Sequence, residues 1–128
     1  MGVAEPIRIV LIEDNEVFRD ALELLLGLQS GVEVVASLAD GSEAVGVVAK
    51  LRPHVVVVDY RLPGLDGVQL TDAIRFACPD VAVICLSASA SDREVEALRA
   101  AGAFACLTKD EPLEDILAAI RGAAAAAA

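Results

Sequence analysis

The sequence predicts an α/β fold class, in which a single doubly wound domain of five βα units has a five-stranded parallel sheet with helices on both faces. Five short apolar runs alternate with five segments of helical periodicity, which is the pattern of βαβ units. The run at residues 55–58 is apolar at every position, as expected of a central strand buried on both faces. A length of 128 residues suits one domain.

The first two units are recognised by their apolar spacing and by glycine and proline at their boundaries. Residues 8–12 are rich in β-branched side chains and form the first predicted strand. The helix after this strand ends at Gly27. Its apolar positions at helical spacing are Phe18, Ala21, Leu22, Leu25 and Leu26. Residues 33–36 form the second strand, and the second helix, with Ala44, Val45, Val48 and Leu51 on its apolar face, ends before Pro53.

The last three units follow the same pattern. Their strands are predicted at residues 55–58, 81–86 and 104–107. A loop at residues 61–67 precedes the third helix, whose apolar face has Leu70, Ile74 and Ala77. Residues 95–101 form the core of the fourth helix. Pro112 suits an early position in the last helix, which continues through Ile116, Leu117 and Ile120.

The domain is predicted at residues 1–122, and residues 123–128 are an Ala-rich tail or the start of a linker. This alanine run has no chemistry of its own. It extends the last helix, begins a linker or marks the edge of a truncated chain, and the sequence leaves these alternatives open.

Composition excludes several classes of function. Ten basic and 20 acidic residues leave a net charge of −10, so the chain itself is expected to be repelled by nucleic acid. The apolar runs are far shorter than the roughly 20 residues that cross a bilayer, and the N-terminus lacks the pattern of a signal peptide. Three cysteines without metal-type spacing, Cys78, Cys85 and Cys106, favour a reducing, cytoplasmic location.

The informative residues directly follow the apolar runs. In open parallel sheets the functional crevice lies beyond the carboxyl ends of the strands. The residues at these ends are Glu13, Asp14, Asp59, Ser87 and Lys109. The three carboxylates would repel one another, and either protonation or a bound cation relieves this repulsion. Mg²⁺ suits such a site because it binds carboxylates, water and phosphate oxygens.

Ser87 and Lys109 add a hydroxyl and a positive charge that can contact a phosphoryl group. Each residue alone has a simpler explanation: ordinary strand-end acids in an acidic chain, a polar loop around Ser87, or a surface lysine. The combination of all these groups at one edge of the sheet favours a functional site.

Four segments together resemble the receiver domain of bacterial two-component response regulators. They are Ile-Val-Leu-Ile-Glu-Asp-Asn at residues 9–15, Val-Val-Asp-Tyr-Arg-Leu-Pro-Gly-Leu-Asp-Gly at 57–67, Leu-Ser-Ala at 86–88 and the stretch 102–109. The resemblance extends from about residue 7 to residue 121 and implies a flavodoxin-like, CheY-like fold. The step from Lys109 to Asp110 is most similar to receivers that precede a LuxR-type helix-turn-helix output domain.

The resemblance implies roles for the acidic residues. Asp59 corresponds to the phosphoacceptor, which takes a phosphoryl group from the phosphohistidine of a sensor histidine kinase. Glu13 and Asp14 correspond to the acidic pair that holds Mg²⁺ together with Asp59. The backbone carbonyl of Arg61 is implied as a further metal ligand.

The resemblance also implies roles for the residues after the fourth and fifth strands. Ser87 corresponds to the hydroxyl that binds the phosphoryl group after transfer, and Lys109 to the lysine that pairs with it. Three residues before the lysine, the family usually has an aromatic side chain whose rotamer reports the active state. Cys106 occupies this position here. Ser87 and Cys106 are therefore the candidate switch residues, and packing as a small core residue is the simpler role for Cys106.

The implied function is a phosphorylation switch that changes its surface or its dimerisation to control an output. The output is expected to be transcription, through a DNA-binding domain outside this chain, and the protein catalyses only its own phosphorylation and dephosphorylation rather than acting as an enzyme. One alternative is a pseudo-receiver that binds partners without being phosphorylated. An aspartyl-phosphate phosphatase of the haloacid-dehalogenase type is a weaker alternative, because it needs an aspartate where this chain has Arg61.

Overall fold

A computed structural model describes residues 5–89 and 91–127 of the chain. Five parallel strands form one sheet in the order β2-β1-β3-β4-β5, so β3 is the central strand and β1 and β4 lie beside it. The elements are β1 Ile7–Ile12, α1 Glu16–Gly27, β2 Val32–Leu38, α2 Ala44–Leu51, β3 Val55–Asp59, α3 Gly67–Ala77, β4 Ala82–Ser87, α4 Asp92–Ala100, β5 Ala105–Thr108 and α5 Leu113–Ala127. The predicted α/β class and the order of the elements are confirmed.

The core lies on both faces of the sheet because successive strand residues point to opposite sides. On one face, Ile9, Leu11, Val55 and Val57 pack with side chains of α1 and α5. On the other face, the alternate residues of the same strands pack with side chains of α2 and α3. Residues 55–58 of β3 are buried, as the uninterrupted apolar run predicted, and Asp59 at the end of the strand is buried as well.

The predicted apolar face of α1 is only partly correct. Leu22 and Leu26 are buried, whereas Ala21 is exposed and Leu25 is 42% exposed. These two side chains lie on the outer side of the helix, which the sheet does not cover. The apolar stripe of α1 is therefore wider than the surface that the fold buries.

Three helices that begin near the carboxyl edge of the sheet have side-chain caps. Asn15 accepts a hydrogen bond from the backbone N–H of Phe18 and starts α1. Asp66 with Gln69 forms a capping box at the start of α3, and Ser91 with Glu94 does so at the start of α4. Such caps satisfy backbone N–H groups that have no partner within the helix. They fix where the loops before α1, α3 and α4 end.

Gly67, the first residue of α3, is packed against the end of β3. A Cβ atom at this position would lie 2.9 Å from the Tyr60 Cα and 3.3 Å from the Cys85 Sγ. The Gly67 N–H also donates a hydrogen bond to the Tyr60 carbonyl at 2.7 Å. The absence of a side chain at Gly67 is what lets α3 begin in contact with β3.

The alanine run at the end of the chain continues α5 through Ala127. Ala123 is fully buried and belongs to the core on the α1 and α5 side of the sheet. Of the alternatives that the sequence left open, extension of the last helix is the correct one for residues 123–127. The helix therefore continues beyond the expected domain boundary at residue 122.

Candidate functional site

Three carboxylates meet at the carboxyl edge of the sheet. β1 and β3 are adjacent, and Ile12 pairs with Val58, so Glu13 and Asp59 follow side by side. One oxygen from each of Glu13, Asp14 and Asp59 lies within 4.8 Å of the others. Glu13 is 1% and Asp59 5% exposed. The structure therefore brings together the three acids that the sequence predicted as one cluster.

Lys109 joins this cluster from the loop after β5. Its Nζ lies 2.8 Å from Glu13 Oε1 and 3.3 Å from Asp59 Oδ1. Its backbone N–H donates to the Ser87 carbonyl at 2.8 Å, which fixes the start of the side chain. Burial lowers the pKa of Lys109, but the contacts with Glu13 and Asp59 outweigh it and place the pKa above its ordinary value. Lys109 is therefore a permanent positive charge between the two acids.

The Asp59 carboxyl holds its proton unusually well. Burial, together with the neighbouring Glu13 and Asp14, raises the pKa of Asp59 to about 7, although Lys109 acts to lower it. A carboxyl surrounded by other carboxyls ionises only with difficulty. The metal-free site therefore has more negative charge than Lys109 alone can balance.

The donor set of this cluster fits Mg²⁺. Both oxygens of Glu13 have partners, because Oε1 contacts Lys109 and Oε2 accepts the Asn15 N–H at 3.0 Å. Asp14 is exposed, so its carboxylate is open to solvent and to a hydrated ion beside Asp59. Mg²⁺ usually retains several waters and binds through one or two carboxylates. A cation here would offset the charge that raises the pKa of Asp59.

Ser87 ends β4, the strand beside β3, and Arg61 follows Asp59 by two residues. Ser87 is buried, and its hydroxyl donates to the Ser89 carbonyl at 2.9 Å. The Arg61 N–H points toward Asp59 Oδ1 at 3.3 Å. The roles assigned to the Ser87 hydroxyl and to the Arg61 carbonyl stay predictions.

Cys106 lies opposite Cys85 in the pairing of β5 with β4. Cys85 is fully buried and Cys106 partly buried. Burial raises the pKa of both thiols, which keeps them protonated and poorly nucleophilic. This environment supports packing as the role of Cys106, while its part in a switch stays a prediction.

Three residues at the start of α1, the N-cap residue included, contact the site without having been predicted to do so. The Asn15 N–H binds Glu13 Oε2, and the Arg19 guanidinium donates to the Glu13 carbonyl at 2.8 Å. The centre of the Phe18 ring lies 4.9 Å from Lys109 Nζ. Helical spacing places residues 15, 18 and 19 on one side of the helix start, and this was the only sequence signal available.

The family of the chain follows from its sequence profile. The profile of the response regulator receiver domain matches residues 9–121. The chain belongs to the response regulator receiver family. The receiver is 35% identical over 117 residues to the transcriptional regulatory protein LiaR of Bacillus subtilis, covering 91% of this chain and 56% of LiaR. It is 33% identical to the nitrate/nitrite response regulator NarP of Escherichia coli, covering 97% of this chain and 58% of NarP.

Solved structures agree with this assignment. The signal receiver domain of a response regulator named NarL from Mycobacterium tuberculosis has a TM-score of 0.89 and 32% identity, covering 95% of this receiver and 98% of that chain. A LuxR-family response regulator from Aurantimonas has a TM-score of 0.90 and 27% identity, covering 95% and 87% of the two chains. The predicted fold and the predicted likeness to LuxR-type receivers are confirmed.

The receiver spans about half the length of the curated relatives that it matches. Within the described residues, none of its helices has the length and apolar character needed to cross a bilayer.

Proposed function

We propose that this chain is the phosphoacceptor module of a two-component response regulator, with Asp59 as the residue that becomes phosphorylated. The observation that carries the proposal is the cluster of Glu13, Asp14 and Asp59 with Lys109 bridging two of the three acids. The donor is a phosphohistidine of a sensor histidine kinase. Mg²⁺, held by Glu13, Asp14, Asp59 and the Arg61 carbonyl, would supply charge neutralisation for phosphoryl transfer.

The residues of this chain position the reacting groups. An oxygen of the Asp59 carboxylate attacks phosphorus, the bond between phosphorus and the donor nitrogen breaks, and the histidine ring keeps the electron pair. Lys109 lies 3.3 Å from Asp59 Oδ1, where its ammonium can balance negative charge on the transferred group. Because positioning and charge stabilisation provide most of the catalysis in phosphoryl transfer, no further general base is required.

The phosphorylated Asp59 side chain would carry roughly 1.5 to 2 negative charges, by analogy with hydroxyl phosphorylation. The Ser87 hydroxyl, which donates to the Ser89 carbonyl in this structure, would turn to the phosphoryl oxygens. This rearrangement would move the loop between β4 and α4 and change the surface formed by α4, β5 and α5, or a homodimer contact.

The output is transcription through a DNA-binding domain of a longer regulator in the cytoplasm, and the chain acts as a switch rather than as an enzyme on separate substrates.

Mass spectrometry of the intact protein after incubation with acetyl phosphate tests this proposal. The wild type should gain the mass of one phosphoryl group only when Mg²⁺ is present, and Asp59→Asn should gain none. Asp72→Asn, which changes an exposed carboxylate on α3, is the matched control and should behave as wild type.

Two outcomes would contradict the proposal. An adduct that persists in Asp59→Asn would assign the acceptor to another residue. No adduct in the wild type, with release of inorganic phosphate excluded, would favour a pseudo-receiver that keeps the fold and binds partners without phosphorylation.

A further inference from the structure

Lys109 has a third neighbour besides its two acidic partners. Its Nζ lies 4.9 Å from the centre of the Phe18 ring, above the ring face. The negative face of an aromatic ring attracts a cation within about 6 Å of its centre. The ammonium is therefore held by Glu13, Asp59 and Phe18 together, and the Lys109 side chain is 21% exposed.

A lysine at this position needs such support. Its ammonium is a point charge on a flexible four-carbon stem, and the attraction of a carboxylate does not define one geometry. Asp59 also changes chemically when it is phosphorylated. A contact with an uncharged ring constrains the ammonium independently of the charge on either acid.

Phe18 is itself rigidly placed. Its backbone N–H donates to the Asn15 side chain at 2.9 Å, in the cap that starts α1. Its ring is partly buried and packs against the core on the α1 and α5 side of the sheet. The ring therefore has one side on the core and one side available to Lys109.

We propose that Phe18 is a positioning residue of the receiver site, whose ring face holds the Lys109 ammonium beside the phosphoacceptor. The functional consequence of this inference rests on the function proposed above, but the contact itself does not. Leucine at position 18 would keep apolar bulk against the core and remove the ring face.

Nuclear magnetic resonance of lysine-labelled, metal-free protein tests the contact directly. The chain has two lysines, Lys109 and the exposed Lys50, so the second is an internal reference. The ε-methylene protons of Lys109 should be shifted upfield by the ring, and their carbon should be less mobile than that of Lys50. Phe18→Leu should remove both effects and Phe18→Tyr should retain them.

Phe76→Leu is the matched control, because Phe76 is 89% exposed on α3, and it should leave the Lys109 signals unchanged. Equal midpoints of thermal unfolding for Phe18→Leu and Phe76→Leu would show that the Phe18→Leu protein still folds normally. Lys109 signals that are the same in wild type and Phe18→Leu would overturn the proposal.

Phosphorylation kinetics test the consequence. At saturating Mg²⁺, Phe18→Leu should slow modification by acetyl phosphate about two- to fivefold, the factor expected for loss of one partly exposed cation–π contact. The concentration of Mg²⁺ needed for half-maximal rate should stay the same, because the Phe18 ring contacts Lys109 rather than the carboxylate oxygens that would bind Mg²⁺.

A double-mutant cycle separates this role from a general structural one. In a Lys109→Ala background, Phe18→Leu should have no further effect, and an equal slowing in both backgrounds would overturn the proposal. If the wild type accepts no phosphoryl group at all, the proposed function fails, and the magnetic resonance experiment still decides whether Phe18 holds Lys109.

Discussion

Asp59 is an acidic residue that the fold buries, and burial disfavours its ionised form. Its carboxyl is buried beside Glu13 and Asp14, which raises its pKa to about 7 from an ordinary value of 3.8. Between these two pH values the folded state holds a proton that the unfolded state has released. Stability is therefore greatest at the acidic side of this window and declines as the pH rises through 7.

Removing the charge at position 59 should stabilise the metal-free protein. We expect Asp59→Asn to raise the free energy of unfolding by about 2 kcal/mol more at pH 8 than at pH 5, because between these pH values the folded wild type loses the proton that it holds at pH 5. Urea unfolding in the presence of a chelator measures this difference. A gain of equal size at both pH values would contradict the raised pKa.

Protons should also compete with Mg²⁺ at this residue. Because a cation requires the ionised carboxylate, the apparent Mg²⁺ affinity should fall about tenfold between pH 8 and pH 6 for a group with a pKa of about 7. Isothermal titration calorimetry measures the affinity. An affinity that is constant over this range would show that Asp59 is ionised throughout it.

At the scale of the element, the first turn of α1 is a part of the site. Asn15 and Arg19 bind the side chain and the carbonyl of Glu13, and Phe18 contacts Lys109. The start of α1 thus holds both Glu13 and Lys109 in place.

Loss of the Arg19 contact should weaken both folding and metal binding. Arg19→Met keeps the aliphatic stem and removes the hydrogen bond to the Glu13 carbonyl, so we expect the free energy of unfolding to fall by about 1 kcal/mol. The Mg²⁺ affinity should fall as well, because Glu13 is less well placed. Arg99→Met, at an exposed position of α4, is the control. Unchanged Mg²⁺ affinity in Arg19→Met would limit Arg19 to a structural role.

The start of α3 should not tolerate a side chain. In Gly67→Ala, the new Cβ would lie 2.9 Å from the Tyr60 Cα, and this contact is with backbone that cannot move aside easily. We expect a loss of about 2 kcal/mol in the free energy of unfolding, as for other overpacked sites. Gly46→Ala, where a Cβ would meet no atom within 4 Å, should cost nothing and tests whether the effect is steric.

The sequence predicted the parts of the site that depend on topology. Glu13, Asp59, Ser87 and Lys109 lie at the ends of strands or directly after them. Parallel strands of one sheet end at the same edge, so the proximity of these residues follows from the order of the elements. The parts that depend on side-chain direction were not predictable in this way. Phe18 was assigned to the core, and only its ring position shows that the same side chain also faces Lys109.

Boundaries were less predictable for a related reason. β2 extends over Val32–Leu38 rather than residues 33–36, since its pairing with β1 adds backbone hydrogen bonds at both ends. α5 continues to Ala127 because alanine has high helix propensity and Ala123 packs into the core. In both cases tertiary contacts decide where the element stops.

At the scale of the whole molecule, the sheet separates a charged edge from an apolar interior. The strands supply the interior, and their carboxyl ends supply the site, so substitutions at the site change charge without opening the core. The net charge of −10 leaves this module unsuited to contact nucleic acid directly. Any regulation of DNA by a longer protein would therefore be transmitted through contacts between protein surfaces.

The close packing at Gly67 makes the site rigid on the side of α3. The end of β3 is pressed against the start of α3, with the Gly67 N–H bound to the Tyr60 carbonyl. Added charge at Asp59 would therefore meet a rigid contact at the start of α3. The Ser87 hydroxyl, which donates to the Ser89 carbonyl, can instead exchange this acceptor for a new one. We therefore expect phosphorylation of Asp59 to displace the loop before α4 and to leave the start of α3 in place.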